Sequence, residues 1–326
     1  MAKRASNPDA ILDRLSALRQ VPSSPEFLAE LKKSIGHSSV VVVARGAELA
    51  SRYEKKELAG DLAGAYWRFA EMNPGHDDKN YVARTGVVRS LVDLYAGGEA
   101  ADVYLSAVKQ GAGRPSGVML ADPAAELRAT AAFGLATMAH PEALTICTDL
   151  LTDLASLVRV AAARALSASG REGAVLVMRL KLRVGDSEPE VLAECATGLM
   201  QLAPAESLDV VAGLMSHREE AARAGAALAL GASRLPAALD RLRQAYDREK
   251  EPEVLKTILI AAASSRLPAA VEWLVSLVEK DRRTAEMAID ALSPFRLDES
   301  VKSRVTAFVQ QSGNPSLLEA VQRVFS

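Results

Sequence analysis

The residues best suited to bind a metal ion lie together in one polar turn, His76-Asp77-Asp78, within the segment 73–81. Imidazole and carboxylate groups are metal ligands, but adjacent residues of one turn rarely converge on a single ion. No second cluster of histidine or cysteine lies near this turn in the sequence. We therefore predict no metal site here, and we expect a solvent-exposed turn that caps a helix beginning near Lys79.

Groups that could act as nucleophiles or as general acids and bases are isolated from one another along the chain. The remaining histidines and the two cysteines, which lie at turns and in apolar helical patterns respectively, are His37, His140, His217, Cys147 and Cys195. The motifs of serine hydrolases, zinc proteases and phosphate-binding loops are absent from the sequence. The chain is therefore predicted not to be an enzyme and to hold no cofactor.

Aromatic residues are scarce in this chain and are concentrated in one segment. Seven of the 14 tyrosines, tryptophans and phenylalanines fall within residues 53–104. Two interpretations remain open: they fill a wider gap between irregular helices, or they form a binding patch for a protein, since Trp, Tyr and Arg are enriched at such sites. Four adjacent positions of this segment encircle one helix and cannot all be buried. The candidates for partner contact are Tyr66, Trp67, Arg68, Phe69 and Tyr81.

A second set of candidates consists of charged residues that recur on the second helix of a repeated unit. They form an acidic line flanked by arginines, and again two interpretations remain open. The charges make either a solvated face with ion pairs between units, each worth under about 1 kcal/mol, or a groove of mixed charge that orients a protein partner. The candidate residues are Arg179, Arg183, Asp209, Asp240, Arg243 and Glu272.

These candidates must be positioned by helices, because 59 of the 326 residues are alanine and only 14 are aromatic. Alanine is the strongest helix former and lets helix backbones approach closely. An all-β fold would need more β-branched and aromatic residues, and the hydrophobic fraction of 49% excludes a disordered chain. The net charge is −2, and residues 122–326 alone carry −4, which argues against nucleic acid as a partner.

Internal repeats specify how these helices are arranged. A nine-residue block recurs at spacings of 31, 33, 31, 32 and 30 residues, and two looser copies precede it. The eight blocks span residues 41–49, 83–91, 127–135, 158–166, 191–199, 222–230, 254–262 and 284–292. Counted from the last residue of each of the later six blocks, apolar side chains recur at or beside +9, +12 and +16. Steps of three and four residues are the buried stripe of a second helix.

Each unit is therefore predicted to be a helix–turn–helix that cannot bury its apolar face alone. Proline, which fits the first turn of a helix, separates the two halves at Pro141, Pro204, Pro236 and Pro268. Stacked units complete the core, so we predict an all-α fold, an α-solenoid of about eight helix pairs. Residues 1–121 are expected to form longer, irregular repeats and residues 122–326 regular repeats of about 31 residues, together one continuous solenoid.

The repeated unit resembles the HEAT repeat, in particular the short bacterial HEAT-like unit of the PBS-lyase type. The resemblance rests on an acidic residue and a proline before an apolar–arginine pair, then alanine-rich packing and a closing leucine, and it is best over residues 122–310. Arg128, Arg159 and Arg223 occupy the arginine position of the family pattern, from which three other units depart. The overall arrangement also resembles a largely uncharacterised group of bacterial HEAT proteins. The resemblance implies an architecture but no reaction.

We therefore expect a non-enzymatic scaffold or adaptor that binds a protein partner through the solenoid surface. The family also includes phycobilin lyases, so an accessory subunit of an enzyme complex is the alternative. A nucleic-acid-binding HEAT-like protein is a further alternative, against which the charge balance argues. The chain has neither a signal-peptide pattern nor an apolar run long enough to span a membrane, so we expect a cytoplasmic protein with no membrane partner.

Overall fold

The structure is a computed structural model that describes residues 7–71, 78–111, 122–280 and 284–325. Every regular element in these ranges is helical, as the alanine-rich composition predicts. The chain divides into two compact units, Met1–Ser169 and Gly170–Ser326. The predicted change from irregular to regular repeats at residue 121 lies inside the first unit. This boundary and the continuity of the solenoid stay predictions.

The helices of the first unit are α1 (Pro8–Leu18), α2 (Pro25–Ile35), α3 (Val40–Arg52), α4 (Ala59–Glu71), α5 (Val82–Asp93), α6 (Gly98–Ala107), α7 (Ala125–Thr137), α8 (Ala143–Leu150) and α9 (Ser156–Ala168). The helices of the second unit are α10 (Glu172–Val184), α11 (Pro189–Leu202), α12 (Pro204–Gly213), α13 (Glu220–Ala232), α14 (Pro236–Tyr246), α15 (Pro252–Ser264), α16 (Pro268–Lys280), α17 (Ala285–Ala291), α18 (Glu299–Ser312) and α19 (Pro315–Phe325). Short 3₁₀ turns lie at Lys56–Leu58, Leu214–Ser216 and Ser293–Phe295.

All eight predicted blocks fall on helices, which we call first helices, namely α3, α5, α7, α9, α11, α13, α15 and α17. Within the first unit α3, α5, α7 and α9 pack side by side in chain order, and within the second unit α11, α13, α15 and α17 do the same. Second helices form another layer, in which α4 packs against α6, and α12 packs against both α10 and α14. The prediction of an all-α fold built from stacked helix pairs is confirmed.

Proline determines where several second helices begin. Helices α12, α14 and α16 begin at Pro204, Pro236 and Pro268, as the sequence predicts. Proline supplies the fixed φ of the first helical turn, and the N–H that it lacks would have no intrahelical partner there. Helix α8 differs, because it begins at Ala143, two residues after Pro141.

First helices pack closely because small residues line the surfaces where they meet. Gly231 of α13 lies so near α15 that a Cβ atom at this position would stand 2.2 Å from the carbonyl oxygen of Ala261. In the first unit Gly134 of α7 leaves the room that the ring of Tyr104 occupies, since a Cβ atom there would stand 2.8 Å from two ring carbons. Both distances are far below van der Waals contact, so these two positions require glycine.

The buried stripe predicted on the second helices contributes to the core of each unit. On α14 the +9, +12 and +16 positions are Leu239, Leu242 and Tyr246, and all three are buried. On α8 the middle position, Cys147, and the last, Leu151, are buried in the same way. Burial of one large apolar side chain stabilises a fold by about 1.5–3 kcal/mol. None of the described helices combines the length and the hydrophobicity that crossing a membrane requires.

Candidate functional site

Two side chains of the predicted aromatic patch lie in the core of the first unit. Tyr66 on α4 is fully buried, its hydroxyl donates a hydrogen bond to Oγ of Ser106 on α6 at 3.0 Å, and burial raises the pKa of this tyrosine. Phe69, one turn further along α4, is also buried. Neither side chain is accessible to a partner, which corrects the prediction for these two residues. They fill space between helices instead, as the first interpretation of the aromatic segment expects.

Trp67 and Arg68 are half-buried and make contacts inside the first unit. The Trp67 ring packs edge-to-face against Tyr66, with ring centroids 5.2 Å apart. Arg68 donates hydrogen bonds to the backbone carbonyls of Ile35 and His37 at 2.7 and 3.2 Å, and burial lowers the pKa of its guanidinium. Arg68 therefore ties α4 to the end of α2, which explains its position without a partner.

Tyr81 is the remaining aromatic candidate, and it too is half-buried. The guanidinium of Arg84 lies over its ring, 4.1 Å from the ring centroid, in a cation–π contact. Each of the three half-buried candidates thus has a structural role inside the unit. Partner binding by Trp67, Arg68 and Tyr81 stays a prediction.

Asp78 of the polar turn is a buried helix cap. Asp78 accepts hydrogen bonds from two backbone N–H groups at the start of α5, and its Oδ2 forms an ion pair with Nε of Arg84 at 3.0 Å. Both side chains are almost fully buried. This corrects the expectation of solvent exposure for Asp78, whereas Lys79 and Asn80 are exposed as expected. The helix begins three residues later than Lys79, because α5 begins at Val82. The two residues before Asp78 lie outside the described part of the chain.

Four arginines at the second position of the repeat block hold the loop that precedes their own helix. Each donates to a residue six positions earlier: Arg84 to Asp78, Arg128 to Asp122, Arg159 to Asp153 and Arg223 to His217. We call this contact the arginine clamp. The HEAT pattern marks three of these arginines in the sequence, but it does not reveal their partner. Arg84 lies in one of the two looser blocks, where the arginine position is harder to recognise.

Arg128 is the most fully engaged of these arginines. Its side chain is 1% exposed, and it binds both carboxylate oxygens of Asp153 at 2.9 Å and Oδ2 of Asp122 at 2.6 Å. It also donates to the carbonyl oxygen of Gln110 at 2.9 Å. These bonds join α7 to the loops that follow α6 and α8, so the clamp connects consecutive helix pairs of the first unit.

On the second helices of the second unit, charged residues pair across neighbouring helices. Arg241 of α14 binds Asp209 of α12 at 2.6 Å, and Arg304 of α18 binds Glu272 of α16 at 2.8 Å. All four side chains are more than 40% exposed, so each pair contributes under about 1 kcal/mol to stability. Two members of the predicted acidic line are therefore neutralised by an arginine of the following unit.

Two predicted arginines of this layer bind backbone carbonyls of the next second helix. Arg179 of α10 donates to the carbonyl oxygen of Glu206 on α12 at 3.0 Å, and Arg243 of α14 donates to that of Ala269 on α16 at 2.8 Å. Arg243 also lies 3.5 Å from Asp240, one turn away on its own helix. A carbonyl carries no formal charge, and no carboxylate in the described ranges pairs with Arg179, whereas Arg243 has Asp240 beside it.

A cavity of about 490 Å³ opens between α12 and α14. Charged and polar residues that line it include Asp209, His217, Arg223, Arg241, Gln244, Arg248 and Glu249. Of these residues, Asp209 is among the predicted candidates for partner contact. We use the term second-helix face for eight charged residues of this layer, namely Arg179, Arg183, Asp209, Asp240, Arg241, Arg243, Glu272 and Arg304.

The histidines and cysteines that could carry acid–base or nucleophilic chemistry have structural roles. Nδ1 of His37, His140 and His217 in each case accepts a hydrogen bond from the backbone N–H two residues later. Cys147 and Cys195 are buried, and burial raises the pKa of both thiols to about 12, so both stay protonated at neutral pH. Among the described residues no group of three or more His, Cys, Asp or Glu could hold a metal ion.

Residues 118–181 and 176–263 match the family model of HEAT repeats. The match shows HEAT repeats within residues 118–263, as the sequence resemblance implies, and the helices of this segment are stacked in pairs within each unit. No curated protein matches the chain at a significant level.

Three solved structures share a low level of similarity with the chain. The complex of CpcE and CpcF of phycocyanin lyase from Nostoc sp. PCC7120 is 14% identical with a TM-score of 0.44, covering 83% of this chain and 93% of that one. Human deoxyhypusine hydroxylase is 18% identical with a TM-score of 0.32, covering 80% and 92%. An engineered protein is 15% identical with a TM-score of 0.41, covering 98% and 95%. At this level of similarity none of them carries a conclusion about function.

Proposed function

We propose that the chain is a non-enzymatic scaffold that binds a protein partner through the second-helix face. HEAT repeats suggest a protein-interaction scaffold in general, and the second-helix face supplies a specific surface. The observation that carries the proposal is the chain of bonds between successive helices, from Arg241 to Asp209 and from Arg304 to Glu272.

These bonds matter because they fix exposed charges in one pattern before a partner arrives. A long charged side chain that is free loses about 0.5–1.5 kcal/mol of conformational freedom when a partner immobilises it. Side chains that are already held by a neighbouring helix lose less. A fixed pattern of alternating sign also orients an approaching protein and rejects a partner of the wrong pattern.

The test reverses this pattern without removing the ion pairs. In one variant Asp209→Arg is combined with Arg241→Asp, and Glu272→Arg is combined with Arg304→Glu. Each pair can still form, so stability is expected to change by less than about 1 kcal/mol. A photo-crosslinking amino acid replaces Gln244, which lines the cavity, in the wild-type chain and in the variant expressed in the source cells.

We expect one protein to be crosslinked to the wild-type chain, to bind it in purified form with micromolar or tighter affinity, and to be lost from the swapped variant. The matched control swaps the exposed pair Arg89 and Glu126 on the first helices α5 and α7, and should keep the partner. Equal crosslinking of the same protein to the swapped variant, or no saturable crosslink at all, would refute the proposal.

A further inference from the structure

Helix α10 exposes an unusual apolar stripe. Leu176, Leu180 and Val184 are 69%, 63% and 76% exposed, and their spacing of four residues places them in one row along the helix. The row spans about 12 Å, at 1.5 Å per residue. Single exposed apolar residues need no explanation, but three in one row form a contiguous patch of the kind that marks an interaction site. We call these three residues the apolar stripe.

The stripe departs from the other repeats at equivalent positions. Leu176, Leu180 and Val184 are the +10, +14 and +18 residues counted from Leu166, the end of their block. The same three positions of the neighbouring units are Thr145, Asp149 and Asp153; Asp209, Gly213 and His217; Asp240, Gln244 and Arg248; and Glu272, Ser276 and Lys280. None of these is a large apolar residue. The exposed row is therefore a local property of α10, which the repeat does not require.

Positive charges that lack a carboxylate partner lie beside the stripe. Arg179 and Arg183 are three and seven residues after Leu176, on the adjacent row of the helix. Arg179 is bound to a backbone carbonyl, and Arg183 is exposed and forms no ion pair within the described part of the chain. Lys181 differs, because it forms an ion pair with Asp186 at 2.8 Å. The stripe is thus flanked by two guanidinium groups whose charge is available to a partner.

We infer that the apolar stripe binds an amphipathic helix of the partner, one with carboxylates next to its apolar residues. The inference rests on the proposed function and names the chemistry of the partner. An apolar row with a spacing of four residues can pack against the apolar row of a partner helix, whose residues recur at similar intervals. Glu or Asp beside that row pairs with Arg179 and Arg183, preferentially through two hydrogen bonds to one guanidinium.

The experiment selects ligands without assuming a natural partner. The probe is a display library of helical peptides of about 20 residues with randomised surface positions, a length at which an isolated helix can form. The library is selected on the full wild-type chain and counter-selected on the variant Leu180→Glu. We expect enriched peptides to carry Leu, Ile or Phe at intervals of three and four residues with Glu or Asp next to them.

Two pairs of variants separate the stripe from general effects on folding. Leu180→Glu should weaken binding of the enriched peptides at least about tenfold, whereas Leu228→Glu, at an exposed leucine of α13, should leave it unchanged. Arg183→Glu should weaken binding about five- to tenfold at low salt, whereas Arg218→Glu, at an exposed arginine elsewhere in the unit, should not. All four positions are exposed, and circular dichroism should show unchanged helicity.

Several outcomes overturn the inference. They are the absence of enriched peptides, enriched peptides that are basic, and equal binding of enriched peptides to the wild-type chain and Leu180→Glu. Self-association of the wild-type chain that Leu180→Glu abolishes would assign the stripe to a second copy instead. Sedimentation with phosphatidylcholine–phosphatidylserine vesicles that Leu180→Glu abolishes would assign it to a membrane surface. If any of these outcomes occurs while the charge-swapped variant still loses the crosslinked protein, the inference about the apolar stripe is refuted and the proposed scaffold function is supported.

Discussion

Arginines on the first helices and arginines on the second helices both bond to groups of a neighbouring segment, but they differ in exposure. Arg128 on α7 is 1% exposed and Arg223 on α13 is 12% exposed, while Arg241 on α14 and Arg304 on α18 are 41% and 46% exposed. All four bind carboxylates. Burial of the charge, rather than the bond itself, distinguishes the two groups.

The difference assigns stability to one layer of helices and is compatible with the recognition role proposed for the other. A buried carboxylate that loses its arginine is left without water or a counter-charge, which costs about 3–5 kcal/mol. An exposed carboxylate that loses its arginine is solvated at once, so the loss is under about 1 kcal/mol. Residues of the second-helix face can therefore change without unfolding the protein, and the arginine clamps cannot.

The strongest test of this comparison is Arg128→Ala. The change leaves Asp153, whose side chain is 7% exposed, without its bidentate partner, and removes the link to Asp122. We expect the free energy of unfolding, measured with urea on the full chain, to fall by about 3–5 kcal/mol. Asp122→Asn is the milder control, because Asp122 is 28% exposed. A loss of under about 1 kcal/mol for Arg128→Ala would remove the distinction between the layers.

The ion pair between Arg223 and Glu249, whose atoms Nε and Oε2 lie 2.7 Å apart, predicts a pH dependence. Burial tends to raise the pKa of Glu249, but its hydrogen bonds from Arg223 and from two backbone N–H groups lower it below the ordinary value. A carboxyl whose pKa is lowered by folding stabilises the fold above its unfolded pKa, and this contribution is lost as the pH falls through the folded pKa.

The corresponding variant is Glu249→Gln, in which the group cannot ionise. At pH 7 we expect the free energy of unfolding to fall by about 1–3 kcal/mol, because a charge-assisted hydrogen bond becomes a neutral one. The difference between the variant and the wild-type chain should shrink below about pH 4, where the unfolded carboxyl is protonated. A difference that stays constant between pH 7 and pH 3 would show that the charge of Glu249 does not contribute.

The smallest expected effect is that of Arg304→Ala on the second-helix face. Its ion pair with Glu272 is exposed, so the free energy of unfolding should change by less than about 1 kcal/mol. In about 1 M salt, where the Debye length is about 3 Å, the change should vanish. A salt-independent loss of 2 kcal/mol or more, read from thermal or urea unfolding, would show that this pair is structural, on the scale of about 1–3 kcal/mol for a charged hydrogen bond.

The helices themselves could be predicted because their signals are local. The +12 positions, such as Leu242 and Leu274, are buried as predicted, whereas Leu144 and Leu208 at +9 are half-buried. A period of three and four residues describes one helix without reference to others. The burial of Tyr66 could not be deduced, because it depends on α6 and the hydroxyl of Ser106 40 residues later. The sequence pattern also identifies Arg128 as the arginine of its repeat. It does not show that Asp153, 25 residues later, lies within hydrogen-bond distance of this arginine.

The apolar stripe was partly visible in the sequence. When the repeats are aligned, position +10 is Leu176 in one unit and Thr145, Asp209 or Asp240 in others. A leucine at a position that is polar in the other units indicates an exposed apolar side chain from the sequence alone. What alignment could not supply is whether the position faces water. That depends on how α10 packs against α11 and α12, which the structure shows.

One consequence of the arginine clamp concerns how such a chain can change during evolution. Arg159 and Arg223 donate to backbone carbonyls of the loop, at Asp153 and Leu154 in one case and at His217 and Arg218 in the other. Every amino acid offers the same carbonyl, so these bonds place no requirement on the side chains of Leu154 and Arg218. Asp153 is different, because its carboxylate also binds Arg128. Substitutions can therefore accumulate at Leu154 and Arg218 while the bonds that hold the two loops are kept.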